Sequence, residues 1–278
     1  MRASRFFRTP KGLVLVVLAL LTAVAGAREG WAVFAAVAVA TLPAMTIDAL
    51  ILHRMKGRWA FPSGALLTGL IVAMILNPRS AWYVIAVTSL VGVVSKYVVR
   101  GHTANVFNPA ALALVATFYV FNPAQNWWGA LPGLPLTAIV VLLATGIYIT
   151  YKVNKIPAVL AFLGVYYLFA TAAAYAGNPA RFADLYRAPA LHAALYFAFF
   201  MVTDPPTSPP KHRDQIIFGA ITAAAAFAAF DLIGAAYFLL AGLLVANAWE
   251  GWRRRREHRS RVGLDAPRQT RGARSVAA

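Results

Sequence analysis

Apolar runs recur along almost the whole of this chain, separated by short polar breaks: 12–27, 31–52, 63–77, 81–99, 106–121, 135–151, 156–176, 188–204, 214–230 and 232–250. Backbone N–H and C=O groups in hydrocarbon must pair within the chain, so such runs fold as helices or close into a barrel. About 20 apolar residues are enough to cross about 30 Å of hydrocarbon. No alternating strand pattern points to a barrel. The expectation is an all-α polytopic membrane protein of about ten transmembrane helices, forming one domain over 1–250. A basic polar tail over 251–278 is expected to be disordered. Hydrophobic residues make up 60% of the chain and charged residues 13%, against about 25% charged in a soluble domain.

The formal net charge is +17, which raises the question of nucleic acid. The distribution answers it. Arg54, Lys56 and Arg58, then Lys96 and Arg100, Lys152 and Lys155, Lys211 and Arg213, and the arginines from Arg253 onward fall in alternate loops and the tail. That asymmetry orients a membrane protein with both termini in the cytoplasm. No nucleic-acid partner is expected, and the Arg-rich tail is suited to anionic lipid head groups. Arg2, Arg5, Arg8 and Lys11 precede an apolar stretch ending near Ala25-Gly26-Ala27. This has the outline of a signal peptide, but an uncleaved first helix is the favoured reading. Trp127, Trp128, Trp249 and Trp252 fall at expected interfaces, where indole rings anchor.

The chain has no cysteine, which excludes disulfides, thiolate-held iron–sulfur clusters and cysteine nucleophiles within it. His53, His102, His192, His212 and His258 provide no obvious facing pair for a haem. No catalytic residue and no metal site is assigned.

Two apolar segments, 62–76 and 189–203, are short and bounded by proline. Pro62 to Asn77 and Pro189 to Asp204 are both 15 positions, and the offset between them is 127 residues. Short interrupted segments at matching places in two halves mark transporter-like inverted repeats with a central site. The expected halves are about 1–121 and 122–250, with five helices each; chance matching of prolines is the alternative.

Three places carry polar chemistry at the edge of apolar segments. Asn105 and Asn108 are three apart where a helix is expected to begin, a spacing that puts both amides on one face near unpaired backbone N–H groups. They suit a ligand rich in carbonyl and ring-nitrogen acceptors, such as an isoalloxazine; alternatively Asn108 simply caps the helix ahead of Pro109. Asp204, beside Thr203 and ahead of Pro205 and Pro206, suits an ion, a proton or a ligand N–H, or else caps its own loop. Ser63, Gly64 and Thr68 allow close approach of a flat ligand or of a neighbouring helix. Asp48 is expected to pair with Arg54 or Lys56 or to lie on an ion path. Lys96 is expected to snorkel to the surface.

Five stretches together resemble one family: Arg8-Thr9-Pro10-Lys11-Gly12, Ser63-Gly64-Ala65-Leu66-Leu67-Thr68-Gly69-Leu70, Gly101-His102-Thr103-Ala104-Asn105-Val106-Phe107-Asn108-Pro109-Ala110, Thr203-Asp204-Pro205-Pro206-Thr207-Ser208-Pro209 and Gly219-Ala220. Their order and spacing are similar to the RnfD and NqrB membrane proteins, the family shared by the Rnf electron-transport complex and the sodium-pumping NADH:quinone oxidoreductase. The resemblance implies two inverted five-helix repeats in the bacterial inner membrane. It implies electron transfer through a bound flavin, redox subunits or a flavoprotein as partners, and coupling in some members to Na+ or H+. It implies a non-covalent riboflavin or FMN near Asn105 and Asn108, with Ser63, Gly64, Thr68, Thr203 and Asp204 as neighbours. Larger members also attach FMN to a threonine in a Ser-Gly-Ala-Thr motif. Here the nearest string is Phe169-Ala170-Thr171-Ala172, inside an apolar segment, so covalent FMN is not expected. The alternative is a non-redox transporter or export protein on the same fold, as among shortened relatives in enediyne gene clusters.

Overall fold

The computed structural model describes residues 9–101, 104–133, 136–177 and 179–265. Among them are eleven α-helices: α1 Pro10–Glu29, α2 Trp31–Lys56, α3 Ser63–Ile75, α4 Trp82–Val98, α5 Pro109–Phe121, α6 Leu136–Lys152, α7 Ile156–Ala176, the short α8 Pro179–Ala183, α9 Ala190–Phe200, α10 His212–Ala228 and α11 Phe238–Asp265. A π-turn, Ala229–Ile233, extends α10. β-Pairing among the described residues is limited to two isolated bridges, Leu76–Gln125 and Arg100–Asn105. Each expected apolar segment contains one helix. Four helices are long and apolar enough to cross a membrane: α1, α2, α7, and α10 with its π-turn.

Local sequence fixes the helix ends. Thr9 caps α1 by accepting from Gly12 N–H at 3.2 Å, with Pro10 in the first turn, where its missing N–H has no intrahelical partner. Gly57, at φ 65°, stops α2 in the left-handed conformation and returns its N–H to His53 O at 2.8 Å. Hydroxyls inside the apolar body turn back on their own helices: Thr22, Thr41, Thr88, Thr117 and Thr222 each donate to the carbonyl four residues earlier. Each hydroxyl proton thereby finds an acceptor in its own helix, and Thr88 and Thr117 also meet across α4 and α5 at 3.0 Å.

α3 and α9 are short, with 13 and 11 residues. At 1.5 Å per residue, α3 spans about 20 Å. The segment after α5 completes its C-terminal end. Asn126 and Trp127 N–H donate to Ile75 O at 2.9 and 3.1 Å, Asn77 N–H to Ala124 O at 3.0 Å, and Trp128 Nε1–H to Ala73 O at 2.6 Å. Trp127 and Trp128 are buried. They therefore fill the space below α3 instead of anchoring at the interface, because the last carbonyls of a helix that stops early need donors. Trp252 is exposed.

The most extensive helix contacts join α7 to α10, α10 to α11, α2 to α3 and α4, and α4 to α5. Small residues bring these helices close. A Cβ on Gly219 of α10 would sit 2.4 Å from Ala158 O of α7, and one on Gly242 of α11 would sit 2.4 Å from Thr222 O of α10.

Two boundaries differ from expectation. The helix expected over 106–121 begins at Pro109, because Asn108 caps it in an extended conformation. The tail expected to lose structure at 251 continues α11 as far as Asp265. Glu250 binds Arg253 and Arg254, and Arg253 binds Glu257, so ion pairs three and four residues apart hold this stretch helical. Residues 266–278 lie outside the described residues.

Candidate functional site

α1, α3 and α5 begin, and α4, α6 and α9 end, around one cavity of about 660 Å³. Pro10, Lys11 and Val14 of α1 line it. So do Gly64, Leu67, Thr68 and Ile71 of α3, Lys96 of α4 with Arg100 beyond it, and Ile149 of α6 with Val153 beyond it. The Asn105 and Asn108 stretch and the end of α9, Phe200 and Thr203 to Pro206, complete the wall. Of the seven residues singled out in the sequence, Asn105, Asn108, Gly64, Thr68, Thr203 and Asp204 line this cavity. Ser63, in the first turn of α3, is not among the lining residues.

Asn105 and Asn108 meet the cavity, but not as neighbours on one helical face. Asn108 Oδ1 accepts from Ala110 and Ala111 N–H, both at 3.1 Å. Its carbonyl oxygen is committed to the helix cap, and the NH2 half of the amide is what remains for a ligand. Asn105 lies ahead of the helix, bridged to Arg100 and next to Ala104, whose carbonyl accepts from Gly101 N–H at 2.9 Å. His102 and Thr103 of this stretch lie outside the described residues.

Thr68 and Thr203 donate to Gly64 O at 2.9 Å and Phe199 O at 2.5 Å, so their hydroxyl protons are used on the backbone four residues earlier. Asp204 serves its own loop: Oδ2 accepts from Thr207 Oγ1 at 2.8 Å, and its carbonyl accepts from Ser208 Oγ at 2.7 Å. Asp48 pairs with neither Arg54 nor Lys56; it is buried and accepts from Tyr97 OH at 2.6 Å. Lys96 does not snorkel. Its Nζ is enclosed at the cavity wall, because the C-terminal end of α4 faces the segments that line the cavity. Thr171 donates to Tyr167 O at 2.7 Å, outside the cavity.

The loop after Asp204 is held from outside by residues that sequence reasoning missed. Its prolines remove N–H donors but leave carbonyls that need partners. Arg254 donates to Pro206 O at 2.7 Å and Ser208 O at 3.1 Å. Lys155 donates to Pro209 O at 2.5 Å, and Gln215 to Pro210 O at 3.1 Å. Asn247 ties the two motif stretches together: its Oδ1 accepts from Asn108 N–H at 2.8 Å, and its Nδ2 donates to Thr207 O at 3.1 Å. Glu250, 1% exposed, holds Arg253 and Arg254, and Arg253 also reaches Asp214 of α10 at 3.1 Å. Burial pushes Lys155 down from 10.5 to about 8; nearby Arg254 adds to the shift, and Glu250 and Asp204 oppose it. Asn247, Glu250 and Arg254 are spaced i, i+3 and i+7, a polar stripe that begins within the apolar first half of α11. That stripe was the available signal.

The sequence profile of the NQR2, RnfD, RnfE family matches residues 2–132 and 125–238. Among curated proteins, the chain is 30% identical over 106 residues to the D subunit of the ion-translocating oxidoreductase complex of Shewanella amazonensis, covering 36% of this chain and 30% of that protein. It is 28% identical over 127 residues to the protein of the same name from Escherichia coli, covering 44% of this chain and 36% of that one. The matched stretches thus span about a third of these relatives' length. With both the Asn105 stretch and the Thr203 stretch inside matched regions, this integral membrane chain belongs to the NQR2, RnfD, RnfE family.

Proposed function

We propose that this chain is a membrane-embedded electron-transfer subunit of an Rnf-like redox complex, and that its cavity seats a non-covalent flavin, riboflavin or FMN. The observation that carries this reading is that two motif stretches about a hundred residues apart, 105–109 and 203–206, form walls of one cavity. Its volume of about 660 Å³ falls in the range of roughly 300–1,000 Å³ usual for small-molecule sites. Leu67, Ile71, Val14, Ile149 and Phe200 give apolar walls for a flat ring. The NH2 groups of Asn105 and Asn108 and the backbone N–H of Gly64 in the first turn of α3 supply donors for ring carbonyls and nitrogens. A bound flavin supplies one- and two-electron chemistry, while the protein supplies orientation and local polarity.

The proposal extends to topology and partners. The starts of α6, α7, α9, α10 and α11 follow those of α1 to α5 by 126, 125, 127, 130 and 129 residues (136−10, 156−31, 190−63, 212−82, 238−109). This supports ten crossing helices in two inverted five-helix halves, an odd number in each reversing its sense. Both termini lie in the cytoplasm of a bacterium whose inner membrane holds the chain, as the Lys and Arg distribution supports. The relatives are named as the D subunit of an ion-translocating oxidoreductase complex, which supports redox subunits as partners and coupling to Na+ or H+ movement.

The test is an absorption spectrum of the protein purified in detergent from flavin-replete cells, followed by chromatography of what denaturation releases. Bound flavin is expected. A colourless preparation that releases none sinks the reading, and ligand-dependent transport in liposomes without a redox donor would replace it with an exporter.

A further inference from the structure

The wall of the cavity holds an ammonium with neither a hydrogen bond nor a close ion pair among the described residues, although Asp48 and Asp204 act on it from a distance. Lys96 Nζ is enclosed there and has no hydrogen-bond partner among those residues. None of their carboxylate oxygens lies within 4.0 Å of it. Asp48 is bonded to Tyr97 and Asp204 to Thr207. An ammonium cut off from water with three donors unused is unfavourable unless something completes it. The surroundings add to the need. Lys11 and Arg100 line the same cavity, and α1, α3 and α5 all present their N-termini to it, each carrying positive partial charge. Gly64 lies beside the ammonium; a Cβ there would stand 3.5 Å from Nζ.

We propose that Lys96 is the anchor for an anionic group of the cavity's ligand. On the flavin reading, on which this rests, that group is either the phosphate ester of FMN or the negative charge that the pyrimidine edge of the ring carries when reduced. Both present acceptor oxygens that an enclosed ammonium pairs with strongly. The oxidised ring without a phosphate offers Lys96 no anion.

The experiment titrates flavin-depleted protein in detergent with riboflavin and with FMN, and measures the midpoint potential of the bound flavin, for wild type, Lys96→Met and Lys96→Arg. If phosphate is the partner, Lys96→Met weakens FMN by about tenfold or more and leaves riboflavin unchanged. If the reduced ring is the partner, both oxidised flavins bind as before, and the potential falls by about 30 mV for each tenfold loss of affinity for the two-electron reduced form. Lys96→Arg keeps most of either effect, because it keeps the charge. Removing an unanswered enclosed charge does not lower the melting temperature, so weaker binding is not ascribed to unfolding. A Lys96→Met protein that matches wild type in both affinities and in potential overturns the assignment and leaves the flavin reading standing. A wild-type protein that takes up neither flavin overturns both.

Discussion

Asn108 has two uses that a single deletion would confuse. Its oxygen caps α5, and its NH2 faces the proposed ligand. Asn108→Ala removes both, and is expected to lower stability by about 1–2 kcal/mol through the lost cap and to lower flavin content as well. Asn108→Asp keeps an acceptor at the cap, with a negative charge suited to a helix N-terminus, and is expected to melt as wild type does while still losing flavin. Thermal melts by tryptophan fluorescence, paired with flavin content, separate the two uses; an Asp variant that retains full flavin would reduce Asn108 to a cap alone. The amide pair was legible in the sequence because carboxamides at the edge of an apolar segment need a reason to be there. What was not legible was how Asn105 reaches the same cavity. That depends on the bridge from Asn105 to Arg100 and the bond from Gly101 N–H to Ala104 O, which no helical spacing encodes.

α11 holds the two motif stretches in register through Asn247. Asn247→Leu leaves Asn108 N–H and Thr207 O buried without this partner, and each such group costs roughly 1–3 kcal/mol. Lower melting temperature and weaker flavin binding are expected together, although Asn247 does not line the cavity. At the cap of α7, Lys155 titrates near 10.5 in the unfolded chain and at about 8 in the folded protein. Between those values the unfolded chain holds the extra proton, so stability rises as pH rises through that window. A melting temperature that climbs from about pH 8 towards pH 10.5 in wild type, and climbs less in Lys155→Met, is the expected result; identical profiles would refute it. The elements themselves were largely readable, since apolar length sets where helices run. The roles of α11 were not. Its arginines look like a solvated tail in the sequence, and only tertiary contact turns Arg253 and Arg254 inward onto Glu250 and the proline-rich loop.

Glu250 is the point where α10, α11 and the loop after α9 are joined, through Arg253 to Asp214 and through Arg254 to Pro206 and Ser208. Glu250→Gln leaves Arg254 without its carboxylate and takes one of three from Arg253, which keeps Glu257 and Asp214. A loss of about 3–5 kcal/mol is expected, in the range for breaking a buried ion pair from one side, visible as a fall in melting temperature and in the yield of folded protein. The distribution of apolar segments and the matched proline breaks were enough to expect a helical membrane body with a central site. They could not show that the loop between the two halves, 122–131, folds back into the body. That inward fold has its own consequence. Met74, at the far end of α3, is pressed by Gly129, where a Cβ would come within 2.6 Å of it, and its sulfur accepts from Tyr196 OH at 3.2 Å, beneath the indole of Trp128 bonded to Ala73. These side chains stopper the molecule on the side away from the lysine-lined chamber. Traffic from one face to the other through this plug, with no rearrangement of it, needs a passenger that requires no hole. An electron satisfies that condition and a hydrated cation does not, so the proposed ion coupling needs another route or a lifted stopper.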